Sequence, residues 1–277
     1  MTTEKKIEKN ANLHYGADGI DRLYGRVWGD SIHFGIYDSN TTDLEAAVVE
    51  TKRQMAACAS LTSGKKVLEV ASGWGATARY LARAFGAHVT ATNIEEDHSA
   101  TAARLSQIAG LERLVSHGHA DFHDLAFGDC QFDVWWCQEA TVHAQNKRQV
   151  FQEALRVLKP GGRIVFSDQT TERSVCSSED CARLAMRHGS EDLYSRGDFT
   201  AAIHDAGFVD INSTDWGAHM GHHFGQLADR IELTYDELVR DIPEETVESN
   251  LSLWRFGQDL ASRRAIGWSC FVGYKPH

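Results

Sequence analysis

Apolar and polar positions alternate along this chain in a pattern that marks out its elements. The run Lys66–Val70, "KVLEV", is short and mostly apolar, as in a buried strand. "GATARYLARAF" follows with helical spacing, then "AHVTATNI" (87–94) as a strand. "EEDHSATAARLSQIAG" reads as a helix closed by Gly110, and "LVSHGHA" as the next strand. Phe132–Gln138, "FDVWWCQ", predicts a fourth strand. "KRQVFQEALRVL" is a helix stopped at "KPGG", and "RIVFSD" (163–168) a fifth strand. Upstream, residues 44–61 put Val48, Met55 and Cys58 on one helical face, with Gly64 as the stop. Regular strand–helix alternation of this kind predicts parallel strands joined by crossover helices.

Two stretches break the rhythm. Residues 1–43 precede the first strand and are read as an N-terminal helical lid segment. Residues 44–277 make the main domain, with helical insertions near 172–195 and 216–264 that complete the lid. The chain closes on "IGWSCFVGYK", one more strand. At 277 residues the whole is long enough for one large α/β domain with a cap. A net charge of −11 argues against a nucleic-acid surface. No apolar run is long enough to span a bilayer, and the polar N-terminus does not read as a secretory signal, so a cytoplasmic protein without membrane contact is expected. Six cysteines without paired C-x-x-C spacing fit reduced thiols. Oligomeric state is not written in the pattern.

The turn after the first strand carries the first chemical signal. A strand entering a helix through glycines exposes backbone N–H groups to a ligand. Ala76-Thr77 follows Gly75, so the Lys-Ser/Thr pair of a P-loop is missing. Gly73 and Gly75, with Ala71 before them, are weak evidence alone. Glu69 narrows the choice: a carboxylate there repels a pyrophosphate and suits a ligand with a cationic amino end. This points to S-adenosylmethionine rather than a nicotinamide dinucleotide. Asn93 and Ile94 end the second strand, where a polar side chain would meet a ribose. Asp121 and Phe122 follow the third, placed to bond and pack an adenine.

Glu69, Gly73, Gly75, Asp121 and "RVLKPGGRIVFSD" together resemble the class I S-adenosylmethionine-dependent methyltransferases over residues 64–168. A narrower resemblance covers most of the chain. "LYGRVWGDSIHFGIYDS", "SGWGATARYLARAFGAHVTATNI", "CQEATVHAQNKRQVFQEALRVLKPGG" and "GWSCFVGYK" are similar to sarcosine/dimethylglycine N-methyltransferases of glycine betaine synthesis. The resemblance implies a Rossmann-like seven-stranded, mostly parallel sheet with an antiparallel C-terminal strand. It also implies S-adenosylmethionine as cofactor, held by Glu69, Ala71, Gly73, Gly75, Asn93, Ile94, Asp121, Phe122 and Gln138. The implied acceptor is a small amine, sarcosine or dimethylglycine. "HFGIY" also resembles segments of tocopherol-type and cyclopropane-synthase-like enzymes, so O- or C-methylation of another small molecule is the alternative.

A methylammonium acceptor has its own demands. The amine must lose its proton before it attacks, and an apolar pocket favours that loss. Aromatic faces stabilise the cation that forms by about 0.5–2 kcal/mol each. Tyr24, Trp28, Tyr37 and Trp135 are candidates, against the plain alternative of core packing. The carboxylate of dimethylglycine asks for an arginine fork. Arg183 and Arg187 share a face of the helix "EDCARLAMRH", and Arg187 is the favoured clamp. Gln138 and His143 follow the fourth strand, at the carboxyl end where open sheets bind ligands. They and His33 are candidates for holding substrate or a proton. "HGHADFH" and "HMGHH" lack a full ligand set, so no metal is expected.

Overall fold

The structure, a computed structural model, describes residues 19–39 and 41–277. The first part of the expected N-terminal segment, residues 1–18, lies outside the described residues. Helix α1 (Ile20–Val27) opens the described chain, and α2 (Leu44–Cys58) follows, its N-terminus capped by Asp43, whose carboxylate accepts the Ala46 N–H. Then come β1 (Lys66–Val70), α3 (Ala76–Phe85), β2 (His88–Asn93), α4 (Glu96–Ile108), β3 (Val115–His119) and β4 (Phe132–Gln138). A short 3-10 turn at Thr141–His143 leads to α5 (Lys147–Val157) and β5 (Leu158–Thr171). The remainder is α6 (Ser178–His188), α7 (Arg196–Ala206), β6 (Val209–Asp215), α8 (Gly217–Leu238), α9 (Glu244–Ser262) and β7 (Ile266–Tyr274).

The seven strands form one sheet in the order β3-β2-β1-β4-β5-β7-β6. Pairs from β3 to β5 are parallel, and β7 runs antiparallel between β5 and β6. This is the expected sheet, with the antiparallel strand where the sequence puts it. Each face is covered. Val67, Val89, Val134 and Trp136 look towards one apolar cluster, and Leu68, Val70, Trp135 and Phe166 towards the other. Burial on both faces is why these strands read as continuous apolar runs.

Two boundaries differ from the sequence reading. β5 extends on both sides of 163–168, because β4 pairs with it at Leu158 and β7 supplies partners along Arg163 to Thr171. α7 was not anticipated, although Ser195 and Asp198 form a full capping box and Gly207 ends the helix in the left-handed region.

α1, α8 and α9 pack together on one side of the sheet's carboxyl edge, and α6 occupies the insertion before α7. Arg26 pairs with Asp241, Arg230 donates to the Val27 carbonyl at 3.0 Å, and Tyr24 donates to Asn250 at 3.3 Å. Among the described residues no helix is long and apolar enough to cross a membrane.

Candidate active site

Chain order reverses between β1 and β4, and a cavity opens beyond the carboxyl ends of β1, β2 and β4. Open parallel sheets place ligands at such a switch point, because the flanking loops diverge there. One wall is the turn Ala71–Trp74 with Ala76; a second is Asn93–Glu95 with His98. Ala120–His123 and Gln138–Ala140 form the third, and His33, His143, Gln145 and His188 the end away from the turn.

The turn is built from left-handed residues. Gly73 and Gly75 sit at φ 53° and 71°. At Gly75 a Cβ would fall 2.7 Å from the His117 ring, so only glycine fits. Ala71 also has positive φ, 52°, a conformation that costs an alanine roughly 1–2 kcal/mol. Asn93 fastens the turn: its Oδ1 accepts the Gly73 N–H at 2.8 Å and its Nδ2 donates to the Gly73 carbonyl at 2.9 Å. The carboxamide expected to meet a ribose thus also fastens the turn, while Asn93 lines the cavity.

Glu69 departs from its expected place at the cofactor. It points from β1 towards the side of α2 and α3 and is not part of the cavity wall. Burial pushes its carboxyl up to about 8, against the pull of Lys52, Arg79 and the Ala78 N–H. Its Oε2 has no hydrogen-bond partner. Gly75 likewise lies beneath the wall rather than in it.

Asp121, Phe122, Ile94, Ala71 and Gly73 do line the cavity. Asp121 Oδ1 accepts the His123 backbone N–H at 2.8 Å and meets His123 Nδ1 at 2.7 Å, which fixes the carboxylate. Gln138 Oε1 accepts from Thr77 Oγ1 at 3.0 Å and Trp136 Nε1 at 3.1 Å. Its Nε2 is buried without a partner, a donor left for a ligand.

The most constrained residue is one that sequence reasoning missed. Glu139, just past β4, stands at φ 48°. Its N–H donates to Ser167 O at 2.8 Å. Its Oε1 accepts from Ser167 Oγ at 2.5 Å and Trp268 Nε1 at 3.0 Å, and its Oε2 meets His33 Nδ1 at 2.9 Å. Strain held by surrounding bonds in a cavity wall is a mark of a functional position. The nearby turn is fixed from behind by Asp168, fully buried, which accepts from Thr141 Oγ1 and from Val142 N at 3.0 Å. His143 Nδ1 is then 3.0 Å from the His188 carbonyl.

The expected aromatic cage is not in the wall. Tyr24 and Trp28 are buried against Trp254, with ring centroids 6.0 and 5.8 Å away, and Trp28 donates to the His33 carbonyl at 3.0 Å. Tyr37 bonds His223 Nδ1 at 2.8 Å. Trp135 is fully buried on the opposite face, against Phe166. None of the four lines the cavity: Tyr24, Trp28 and Trp135 are buried in the core and the half-buried Tyr37 is engaged by His223, which corrects the expectation that they face a cation. Arg187 does not line the cavity either; its helix turns His188 inward instead. Arg183 stacks on Phe256, 3.6 Å from the ring centre. Among the described residues, no lysine or arginine lines this cavity, whereas Asp21, Asp30, Glu95, Asp121 and Glu139 do. Nor do the described residues hold a group of three or more side chains arranged for a metal ion.

Residues 68–166 match the family described as a methyltransferase domain. A sarcosine/dimethylglycine N-methyltransferase of Halorhodospira halochloris is 26% identical over 268 residues, 95% of each chain. A glycine/sarcosine/dimethylglycine N-methyltransferase of Actinopolyspora halophila is 31% identical over 236 residues, 85% of this chain; the chain spans only 42% of that protein's length. Among solved structures, a candidate sarcosine dimethylglycine methyltransferase from Galdieria sulphuraria superposes with a TM-score of 0.87 at 23% identity, covering 95% of this chain and 98% of that one.

Proposed function

On the premise that this chain is a class I S-adenosylmethionine-dependent methyltransferase, we propose that it methylates the nitrogen of a small amine, with sarcosine and dimethylglycine as acceptors. The observation that carries this reading is Glu139, a carboxylate pinned at strained backbone in the cavity wall and paired with His33.

The residues suit the cofactor. Gly73 brings backbone close to the cavity without a side chain, Phe122 offers a flat apolar face, and the unpartnered Gln138 Nε2 offers a donor. Asp121 takes the adenine amino group with the oxygen that His123 leaves over. When bound, the cofactor supplies an electrophilic methyl group on a sulfonium. The chain's own task is alignment, desolvation and proton removal, of which alignment alone contributes roughly 7–11 kcal/mol.

Glu139 attracts the ammonium form of the acceptor and accepts its proton, leaving the lone pair for the new N–C bond. Ser167 and Trp268 hold Oε1, so Oε2, beside the His33 imidazole, is the oxygen that takes the proton. Release of that proton past His33 restores the carboxylate, which then faces the cation formed by transfer to dimethylglycine. His143, Gln145 and His188 hold the acceptor's far end by hydrogen bonds.

One observation favours a second reading. A wall without lysine or arginine suits an acceptor lacking a carboxylate, such as an amino alcohol, on the same fold. A panel of sarcosine, dimethylglycine, dimethylethanolamine and phenols, read by release of S-adenosylhomocysteine, decides. Turnover of dimethylglycine, with kcat of Glu139→Gln lowered at least a hundredfold, is the expected result. Exclusive turnover of the amino alcohol moves the substrate to the second reading. An unchanged kcat in Glu139→Gln removes the proposed base.

A further inference from the structure

The end of the cavity away from the glycine turn is made by two stretches whose histidines are 45 positions apart. One is the turn after β4, which carries His143 and Gln145; the other is the loop that ends α6, which begins at His188. Gln145 Nε2 donates to the Gly189 carbonyl at 2.5 Å, and Ser190 Oγ donates to the Ala144 carbonyl at 3.1 Å. At this seam lies Lys147, the first residue of α5, with 1% of its surface exposed. Its Nζ donates to the Val142 and Ala144 carbonyls at 3.4 and 3.2 Å and to Ser190 Oγ at 3.4 Å. The ammonium also stands 5.1 Å from the centre of the Tyr194 ring.

A buried ammonium is costly unless it is paired, and the chemistry proposed above gives this one no task. It has three protons to donate, and three oxygens take them: two from the turn and one from the loop. On the other side of the same turn, the fully buried Asp168 accepts from the Thr141 hydroxyl and the Val142 N–H. The turn is thus held by a carboxylate at its donors and by an ammonium at its carbonyls. We propose that Lys147 is a positioning residue for the methyl acceptor: it knots the loop after α6 to the turn after β4, and so sets where His143, Gln145 and His188 stand. The proposal rests on the reading of that cavity end as the acceptor's. Burial pulls the lysine down to about 8 against Asp168 and Asp192, so it keeps its third proton at neutral pH.

Selection of the acceptor then belongs in part to the insertion that carries α6, through a lysine that is itself outside the cavity wall. Without the ammonium the loop loses its tie at Ser190, and the groups beside it shift. A misplacement of about 1 Å can cost on the order of a hundredfold in rate. The hydrogen bonds of Lys147 do not reach the walls around Gly73 and Asp121, so cofactor binding serves as the internal control.

Steady-state kinetics with sarcosine, dimethylglycine and dimethylethanolamine, together with calorimetry of S-adenosylhomocysteine, test the knot on the full chain. Lys147→Met keeps the length of the stem and removes the charge. KM for whichever amine is turned over is expected to rise at least about tenfold, while S-adenosylhomocysteine binds within about twofold of wild type. Ser190→Ala takes the loop's oxygen from the knot and should raise the same KM at least about threefold; it decides alone if Lys147→Met does not fold. Amide exchange at Gly189 and Ser190 should quicken in each folded variant. A KM within about twofold of wild type in the folded variants would overturn the proposal. So would parallel losses of affinity for amine and S-adenosylhomocysteine, the mark of a general loosening. Wild type that turns over none of the three amines would overturn the acceptor reading alone. Exchange at Gly189 and Ser190 then decides the knot: quickened in the variants, it stands; unchanged, it falls.

Discussion

Ala71 shows how a single backbone angle can be turned into an experiment. It occupies the left-handed region at φ 52°, where alanine is strained and glycine is not. It lines the cavity at the start of the turn, so the strain sits beside the proposed cofactor site. Ala71→Gly should relieve it and stabilise the fold by up to about 1 kcal/mol, less the extra entropy glycine carries in the unfolded chain. Denaturant midpoints check this; a clear loss of stability would mean that the methyl group packs in a way that outweighs the angle. Glu139 carries comparable strain at φ 48°, but its side chain is engaged by Ser167, Trp268 and His33. Those partners lie 28, 129 and 106 positions away along the chain. No local pattern around "WWCQEATVH" could have announced them, which is why Gln138 and His143 stood out in the sequence and the residue between them did not.

At the scale of elements, local signals carried far. β1 and β4 begin and end where their apolar runs do, because both are buried on two faces and have little freedom at their edges. The helices after β1 and β4 were legible from their spacing. What escaped was direction: which way a side chain points from an element whose ends were read correctly. Glu69 is on the correct strand but faces α2 and α3, and Arg187 is on the correct helix but beside the cavity rather than in it. Helical spacing puts Arg183 and Arg187 on one face without saying what that face meets. The face meets Phe256 through Arg183. Arg187→Ala should therefore change KM for dimethylglycine by less than about twofold, since the half-buried guanidinium does not line the cavity. Steady-state kinetics decide; a tenfold rise in KM would bring α6 over the acceptor during turnover.

For the molecule as a whole, the segment following α1 is joined to the C-terminal helices through a histidine that must stay neutral. His223 of α8 is fully buried, and its Nδ1 faces the Gly35 N–H at 3.2 Å and the Tyr37 hydroxyl at 2.8 Å. Its ring lies among Trp28 and Phe34, with centroids 5.3 and 5.4 Å away. Burial, with His222, Arg230 and His33 adding repulsion, pushes it down to about 3. The unfolded imidazole takes a proton near pH 6.5 and the folded one does not, so the unfolded state binds more protons between those values. Stability from this site is therefore complete above about pH 6.5 and falls as the pH drops towards 3. At pH 5 the loss is about 2 kcal/mol, from roughly 1.4 kcal/mol per pH unit. His223→Gln removes the titration while keeping an acceptor for the Gly35 N–H. It should be less stable than wild type at pH 7.5, and the gap should narrow by about that amount at pH 5. Unfolding curves of both proteins at the two pH values measure the difference directly, because every other titrating group is common to them. Parallel curves with a constant gap would show that the imidazole does not titrate against folding, and that the lid is held by apolar contacts alone.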